Sequence, residues 1–227
     1  MTKRLLILIL VLAAVMSSIA QESYRTGILP QVNLNMKLSD NWRLVLRAES
    51  RQVVASGLFG DPFEFGYDNN LTDLALLTSR RISGTQNFTF GYQMRLAGEK
   101  PIHRTIQQYS LVSVHNSFRL GHRFAADQTF EPEETAEYRF RYRISFETAL
   151  SGQSVDPGEF YFKVNQEQLH GFSGGEYDLE LRLAPALGFE FTDNNKLEAG
   201  FDNRFSSFLN GSLRSSFWLT IGWFISI

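Results

Sequence analysis

"EYRFRYRISFE", residues 137–147, sets Arg139, Arg141 and Arg143 at alternate positions, with Tyr138, Phe140, Tyr142, Ile144 and Phe146 between them. Side chains of a β-strand point alternately to opposite faces. The stretch is therefore a strand with one cationic face, flanked by Glu137 and Glu147, and one aromatic face. A soluble sheet would turn the arginines to water and the rings to a core. A membrane barrel would turn the rings to lipid and the arginines to a wet lumen. The stretch alone fits both.

The same alternation recurs along the chain. Ile28, Pro30, Val32, Leu34, Met36 and Leu38 lead to a turn at Ser39-Asp40-Asn41. Trp42, Leu44, Leu46 and Ala48 then oppose Arg43, Arg47, Glu49 and Arg51, and after a loop at 55–69 a strand runs through about 71–82. Phe88, Phe90, Tyr92, Met94 and Leu96 oppose Thr89, Gln93 and Arg95. A less regular strand ends near His115, and Phe118, Leu120, His122, Phe124 and Ala126 are backed by Arg119, Arg123 and Asp127. Beyond the opening stretch, Phe160, Phe162 and Val164 are backed by Lys163, Asn165 and Glu167. Tyr177, Leu179, Leu181 and Leu183 alternate with Asp178, Glu180 and Arg182, and Leu197, Ala199, Phe201 and Phe205 with Glu198, Asp202 and Arg204. Phe217, Leu219, Ile221, Trp223, Ile225 and Ile227 end the chain. No segment shows a helical period of comparable strength. Pro62, Pro101, Pro132 and Pro157 fall in loops, whereas Pro185 interrupts a strand pattern and predicts a bulge or kink there.

Three features choose between the readings. The repeats run about 10–14 residues, against about 5–6 for an average strand, and a tilted strand crosses a bilayer in roughly 9–11 residues. Short turns at 39–41, 83–87, 115–117 and 192–195 alternate with longer connections at 55–69, 98–105, 131–135 and 168–176, the rhythm of an outer-membrane barrel; the 150–158 connection breaks it. The polar face mixes arginines with acids, and the planar guanidinium suits paired, partly buried sites. Pairing Phe130 near Ala136 predicts Asp127 opposite Arg139 and Arg119 opposite Glu147. A one-residue slip would turn every arginine outward, at roughly 2–4 kcal/mol for each one at a bilayer midplane. The soluble alternative, a lipocalin-like barrel with its aromatics inside, would enclose a very large apolar cavity.

Residues 1–20 read as a secretory signal peptide: Lys3 and Arg4, an apolar run from Leu5 to Val15, and a small-residue site at Ser18-Ile19-Ala20. Residues 21–227 then form a single domain. Without Lys3 and Arg4, 20 basic residues stand against 24 acidic ones, a net of about −4, which argues against nucleic acid as a partner. The absence of cysteine favours a bacterial envelope protein over a disulfide-stapled secreted domain.

The Trp42-led strand, "GYQMRLAG", "HRFAADQTF", "YRFRYRISF" and the hairpin "LGFEFTDNNKLEAGF" together resemble a family of Gram-negative outer-membrane β-barrels known only as a domain of unknown function. The resemblance covers most of the chain after residue 20 and implies a fold and a location without an assigned activity. Its most specific part joins the His122-Arg123…Gln128 strand to the Arg139/Arg141/Arg143 strand. Two departures stand out: Asp127 where the family tends to carry Glu, and Ile227 where barrels usually end in an aromatic residue.

The expected fold is all-β, a closed antiparallel transmembrane β-barrel. Eleven segments are patterned, but bacterial barrels normally have an even number, which points to about twelve strands (or ten), the extra one within 98–116 or before Ile28. The expected lumen residues are Arg43, Arg47, Glu49, Arg51, Arg95, Arg119, Arg123, Asp127, Glu137, Arg139, Arg141, Arg143, Glu147, Lys163, Glu180, Arg182, Asp202 and Arg204. The expected lipid-facing residues are Phe88, Phe90, Tyr92, Tyr138, Phe140, Tyr142, Phe160, Phe162, Leu179, Leu181, Phe217, Leu219 and Trp223. No catalytic, cofactor or metal residue is expected: His103, His115, His122 and His170 lack ligand spacing, and no nucleophile motif stands out. Expected partners are outer-membrane lipid, barrel-assembly machinery, periplasmic chaperones and a small polar solute. The arginine rows either bind anions or set a pore's selectivity, or pair with acids and fill the barrel; a near balance of charge on that face favours the second. A lipid- or glycan-modifying enzyme and a closed structural barrel remain alternatives. The aromatics of the 55–69 loop either fold over the mouth or extend the girdle.

Overall fold

The alternating segments become eleven strands in a computed structural model that describes residues 22–227; the expected signal peptide lies outside the described residues. The strands are β1 (Ser23–Lys37), β2 (Trp42–Leu58), β3 (Asp68–Ser83), β4 (Gln86–Leu96), β5 (Ile102–Val114), β6 (Phe118–Phe130), β7 (Glu137–Ala149), β8 (Phe160–Ser173), β9 (Glu176–Thr192), β10 (Asn195–Ser206) and β11 (Arg214–Ser226). Each pairs with the next, and the sheet closes into a barrel.

The number falls between the ten and twelve expected. Region 98–116 holds only β5, and Ile28 lies within β1. In an up-and-down meander an odd count leaves the first and last strands pointing the same way. β1 and β11 accordingly close the barrel in parallel, from Ser23 beside Arg214 to Asn35 beside Ser226. The N-terminus of β1 and the C-terminus of β11 therefore lie at opposite ends.

The connections depart from the expected rhythm at one turn and keep the expected break at another. Strand β8 runs on to Ser173, so the expected 168–176 connection shrinks to Gly174-Gly175, both at positive φ (58° and 86°). Positive φ at both central residues is the geometry of a tight hairpin turn whose twist matches the strands it joins. The long 150–159 connection lies at the end that otherwise carries short turns. Pro185 sits in β9 without shifting the register: Gly200 pairs with Ala186 and Asn203 with Leu183, and the ladder to β10 is interrupted between them, while its register shift lies elsewhere, at Asn195/Lys196. Proline lacks the N–H that this rung needs. Gly200 makes room there, since a Cβ on it would meet the Pro185 carbonyl and Ala186.

Register follows the two-residue period except at shifts near Thr26/Gly27, Arg51/Gln52, Arg81/Ser83 and Asn195/Lys196. Asp127 lies opposite Arg139 and Arg119 opposite Glu147. Apolar side chains fill part of the interior wall, where Leu29, Val53 and Trp218 form a buried cluster. Tyr161, 1% exposed, lays its ring over the bare backbone of Gly188, its cross-strand neighbour.

Candidate functional site

Among the described residues, the barrel interior concentrates the charged side chains. It encloses a cavity of about 480 Å³. Along its wall stand eleven basic side chains: Arg47, Arg51, Arg95, Arg104, Arg123, Arg139, Arg141, Arg143, Lys163, Arg182 and Arg204. Six acids line it with them, Glu49, Asp73, Glu167, Glu180, Glu198 and Asp202. Asp127, packed behind Arg139 and Arg141, makes seven. Eleven minus seven leaves an excess of four positive charges, which corrects the near balance expected from sequence.

The pairs form three groups. Glu167, 1% exposed, is the hub of the first. Its Oε2 accepts from Arg143 Nε and Arg123 Nη2, each at 2.8 Å, and its Oε1 lies 3.5 Å from Arg182 Nη1. Arg182 also pairs with Glu180. Beside this hub, Asp127 takes Arg141 at 2.8 Å and Arg139 at 3.4 Å. The second group lies on β2–β4, where Arg95 grips Asp73 through two bonds of 2.8 Å and Arg51 reaches Glu49 at 3.1 Å. The third joins Lys163 to Glu198 at 2.9 Å, with the Tyr161 hydroxyl donating to the same carboxylate at 2.8 Å. Arg204 holds Asp202 at 2.7 Å. Paired and hydrogen-bonded in this way, buried charges avoid most of the penalty an isolated ion would suffer.

Most residues expected to face the lumen meet in this cavity. Arg43 does not: it is exposed at the short-turn end. Arg119 is largely exposed at the same end, 3.5 Å from Glu147. Glu137 lies toward the other rim, 3.6 Å from Arg139. Sequence reasoning missed Asp73 and Arg104. Both sit on the inward face by strict alternation, but β3 and β5 carry mixed patterns (Leu71, Ala75 and Leu77 point inward too), so only the pairing register identifies them. Glu167 and Glu198 were legible on the polar faces of β8 and β10 but stood outside the expected lumen set, and the role of Glu167 as hub was not legible.

The outward face is apolar and exposed. Phe90, Tyr92, Tyr138, Phe140, Phe160, Phe162, Leu219 and Trp223 are among its exposed residues, Phe140 at 57%. Phe88, Tyr142, Leu179, Leu181 and Phe217 are partly covered by neighbours on the same face. The polar groups there largely satisfy one another. Gln107 and Gln128 exchange amide hydrogen bonds of 3.3 and 3.0 Å. Three histidines each meet a tyrosine hydroxyl: His103 with Tyr92, His122 with Tyr142, His170 with Tyr177. At the long-loop rim Phe63 stacks on Tyr24 and meets Phe65 edge-on. The loop aromatics thus gather against the end of β1.

A family model described as "Protein of unknown function (DUF2490)" matches residues 26–213. No curated protein and no solved structure matches the chain.

Proposed function

The chain belongs to the DUF2490 family, described only as of unknown function, and we propose from its own geometry that it is a non-catalytic outer-membrane β-barrel whose lumen gives small polar solutes, anions above all, a narrow route. The observation that carries this reading is the contrast between two faces of one sheet: exposed Phe, Leu and Tyr outside, eleven basic and seven acidic groups within. In water the outer face would be an apolar patch far beyond what a soluble monomer exposes. In a bilayer it is the required surface, and strands of 11–17 residues are long enough to cross one. Mutually bonded outward groups, such as Gln107 with Gln128, suit a medium that offers no hydrogen bonds.

Eleven strands spaced about 4.8 Å apart and tilted about 40° give a backbone radius of roughly 11 Å. Long arginines from opposite walls cover most of that radius, so the route is narrow. The excess positive charge favours anions over cations within it. Partners on this reading are membrane lipid, the assembly machinery and chaperones that deliver barrels, and the solute.

Two measurements test the proposal. Gel migration of the membrane fraction with and without boiling should differ, because a folded barrel resists detergent; identical mobility with the protein in the soluble periplasm would refute the membrane reading. In planar bilayers a KCl gradient should give small conductance steps with a reversal potential on the anion-selective side. A folded, inserted protein that passes no current would refute the route and leave a closed barrel.

A further inference from the structure

One inward row differs from the rest of the lumen. Reading across directly paired residues from β1 to β6, it runs Asn33, Arg47, Ala75, Gln93, Arg104, Thr129. Apart from alanine, every member presents a hydrogen-bond donor, and no member is an acid; the next residue in register, beside Thr129, is Glu137 on β7. The flanking row on one side holds Glu49, Asp73 and Arg95, with Asp73 paired to Arg95 and Glu49 to Arg51; the row on the other holds Val45, Leu77 and Ile106 and reaches Asp127 on β6. A band of donors is thus fixed between an ion-paired layer and one that is apolar from β2 to β5.

Neither cation of this row has an acid within ion-pair distance. Among the described residues, Arg47 bonds only the Gln93 side-chain oxygen (3.3 Å) and Arg104 only the Thr129 hydroxyl (2.9 Å); no carboxylate lies within ion-pair distance of either. Arg104 is 7% exposed, so bulk water hydrates its charge little, and its acidic neighbours Asp127 and Asp73 act on it only from beyond ion-pair distance. Two buried amides complete the row. Gln93 and Asn33 are 3% and 7% exposed, and Gln93 Nε2 and Asn33 Nδ2 have no acceptor. The Gln93 amide cannot turn round without loss, because its oxygen already takes Arg47. Ala75 is the small residue over which the Arg47 side chain crosses from β2 to Gln93 on β4. Arg104 leans the other way, toward β6. Arg47 thus bonds the Gln93 oxygen, Arg104 is the direct cross-strand neighbour of Gln93, and all three line the wall of one cavity.

We propose that this row is a binding site for a small dianionic oxyanion of the phosphate type, held between Arg47 and Arg104 with the Gln93 amide donating to it. Guanidinium forks match the oxygen geometry of such ions. Two charges on the ligand answer the two guanidiniums that lack an acid within ion-pair distance. The inference rests on the wet-lumen barrel of the preceding section.

The test titrates inorganic phosphate into the refolded protein in micelles, in a chloride background, by calorimetry. A saturable one-site isotherm is expected. Arg47→Gln and Arg104→Gln should each weaken it at least tenfold. Ala75→Asp, which supplies the row with its own carboxylate, should abolish it, while Arg43→Gln at the rim leaves it unchanged. Heat-modifiable migration is scored for each variant, and removal of an unneutralised buried charge should leave folding intact. Binding that is absent from the folded wild type, or that survives both arginine changes in folded protein, overturns the site and leaves the barrel standing. Wild type that never becomes heat-modifiable in micelles overturns both, so the two failures are separable.

Discussion

Replacing Glu167 by Gln should unmake the largest knot in the lumen. The side chain is 1% exposed, and three guanidiniums, those of Arg143, Arg123 and Arg182, lie 2.8, 2.8 and 3.5 Å from its oxygens. At an effective dielectric constant of about 20, unit charges about 4 Å apart attract by about 4 kcal/mol. Three such pairs give a gross attraction of about 12 kcal/mol. Desolvation of the carboxylate and repulsion among the arginines oppose most of it. Removing one member of a buried ion group typically costs about 3–5 kcal/mol, because the partners are left uncompensated. With a urea slope near 2 kcal/mol per molar, a loss of about 3 kcal/mol lowers the unfolding midpoint by about 1.5 M. The assay is urea unfolding in micelles or vesicles, followed by tryptophan fluorescence, where buried Trp218 is an inward reporter, and by gel migration of unboiled samples. The double variant Glu167→Gln/Arg123→Gln should recover about 1 kcal/mol or more relative to the sum of the single changes, since it removes both ends of one pair. A midpoint within about 0.2 M of wild type for Glu167→Gln, or strict additivity in the double variant, would refute the hub.

Two further outcomes follow from the same geometry. Phe140→Arg places a guanidinium on the outward face at an exposed position, and equilibrium refolding into vesicles should show a loss of about 2–4 kcal/mol, with little effect if that face meets water instead. Gly188→Ala drives a methyl into the Tyr161 ring, which cannot retreat while its hydroxyl holds Glu198, so a loss of about 1–3 kcal/mol in urea unfolding is expected, relieved when combined with Tyr161→Ala.

Local alternation settled a great deal. In a strand the period is two, so the Arg139/Arg141/Arg143 face and the Tyr138/Phe140/Tyr142 face were separable from eleven residues, and the Asp127–Arg139 and Arg119–Glu147 rungs followed once a hairpin was assumed. The same rule was weak on β3 and β5. There the inward face mixes Leu71, Ala75 and Ile106 with Asp73 and Arg104, and the polar signal drowned. Turn lengths were weaker still, because Gly174-Gly175 closes a hairpin in two residues where composition suggested a loop.

By itself, then, the chain determined which side chains share a face and that no helix competes with the strands, since both are properties of short-range sterics and periodicity. Only the closed barrel decided which of those side chains meet. The successive β2–β3, β3–β4 and β4–β5 pairings align Arg47, Gln93 and Arg104, residues 46 and 11 apart along the chain, in one row that meets no acid from β1 to β6. Charge neutrality inside a barrel is a property of spatial neighbours, and spatial neighbours across strands are fixed by pairing over long sequence separations, which no local pattern encodes.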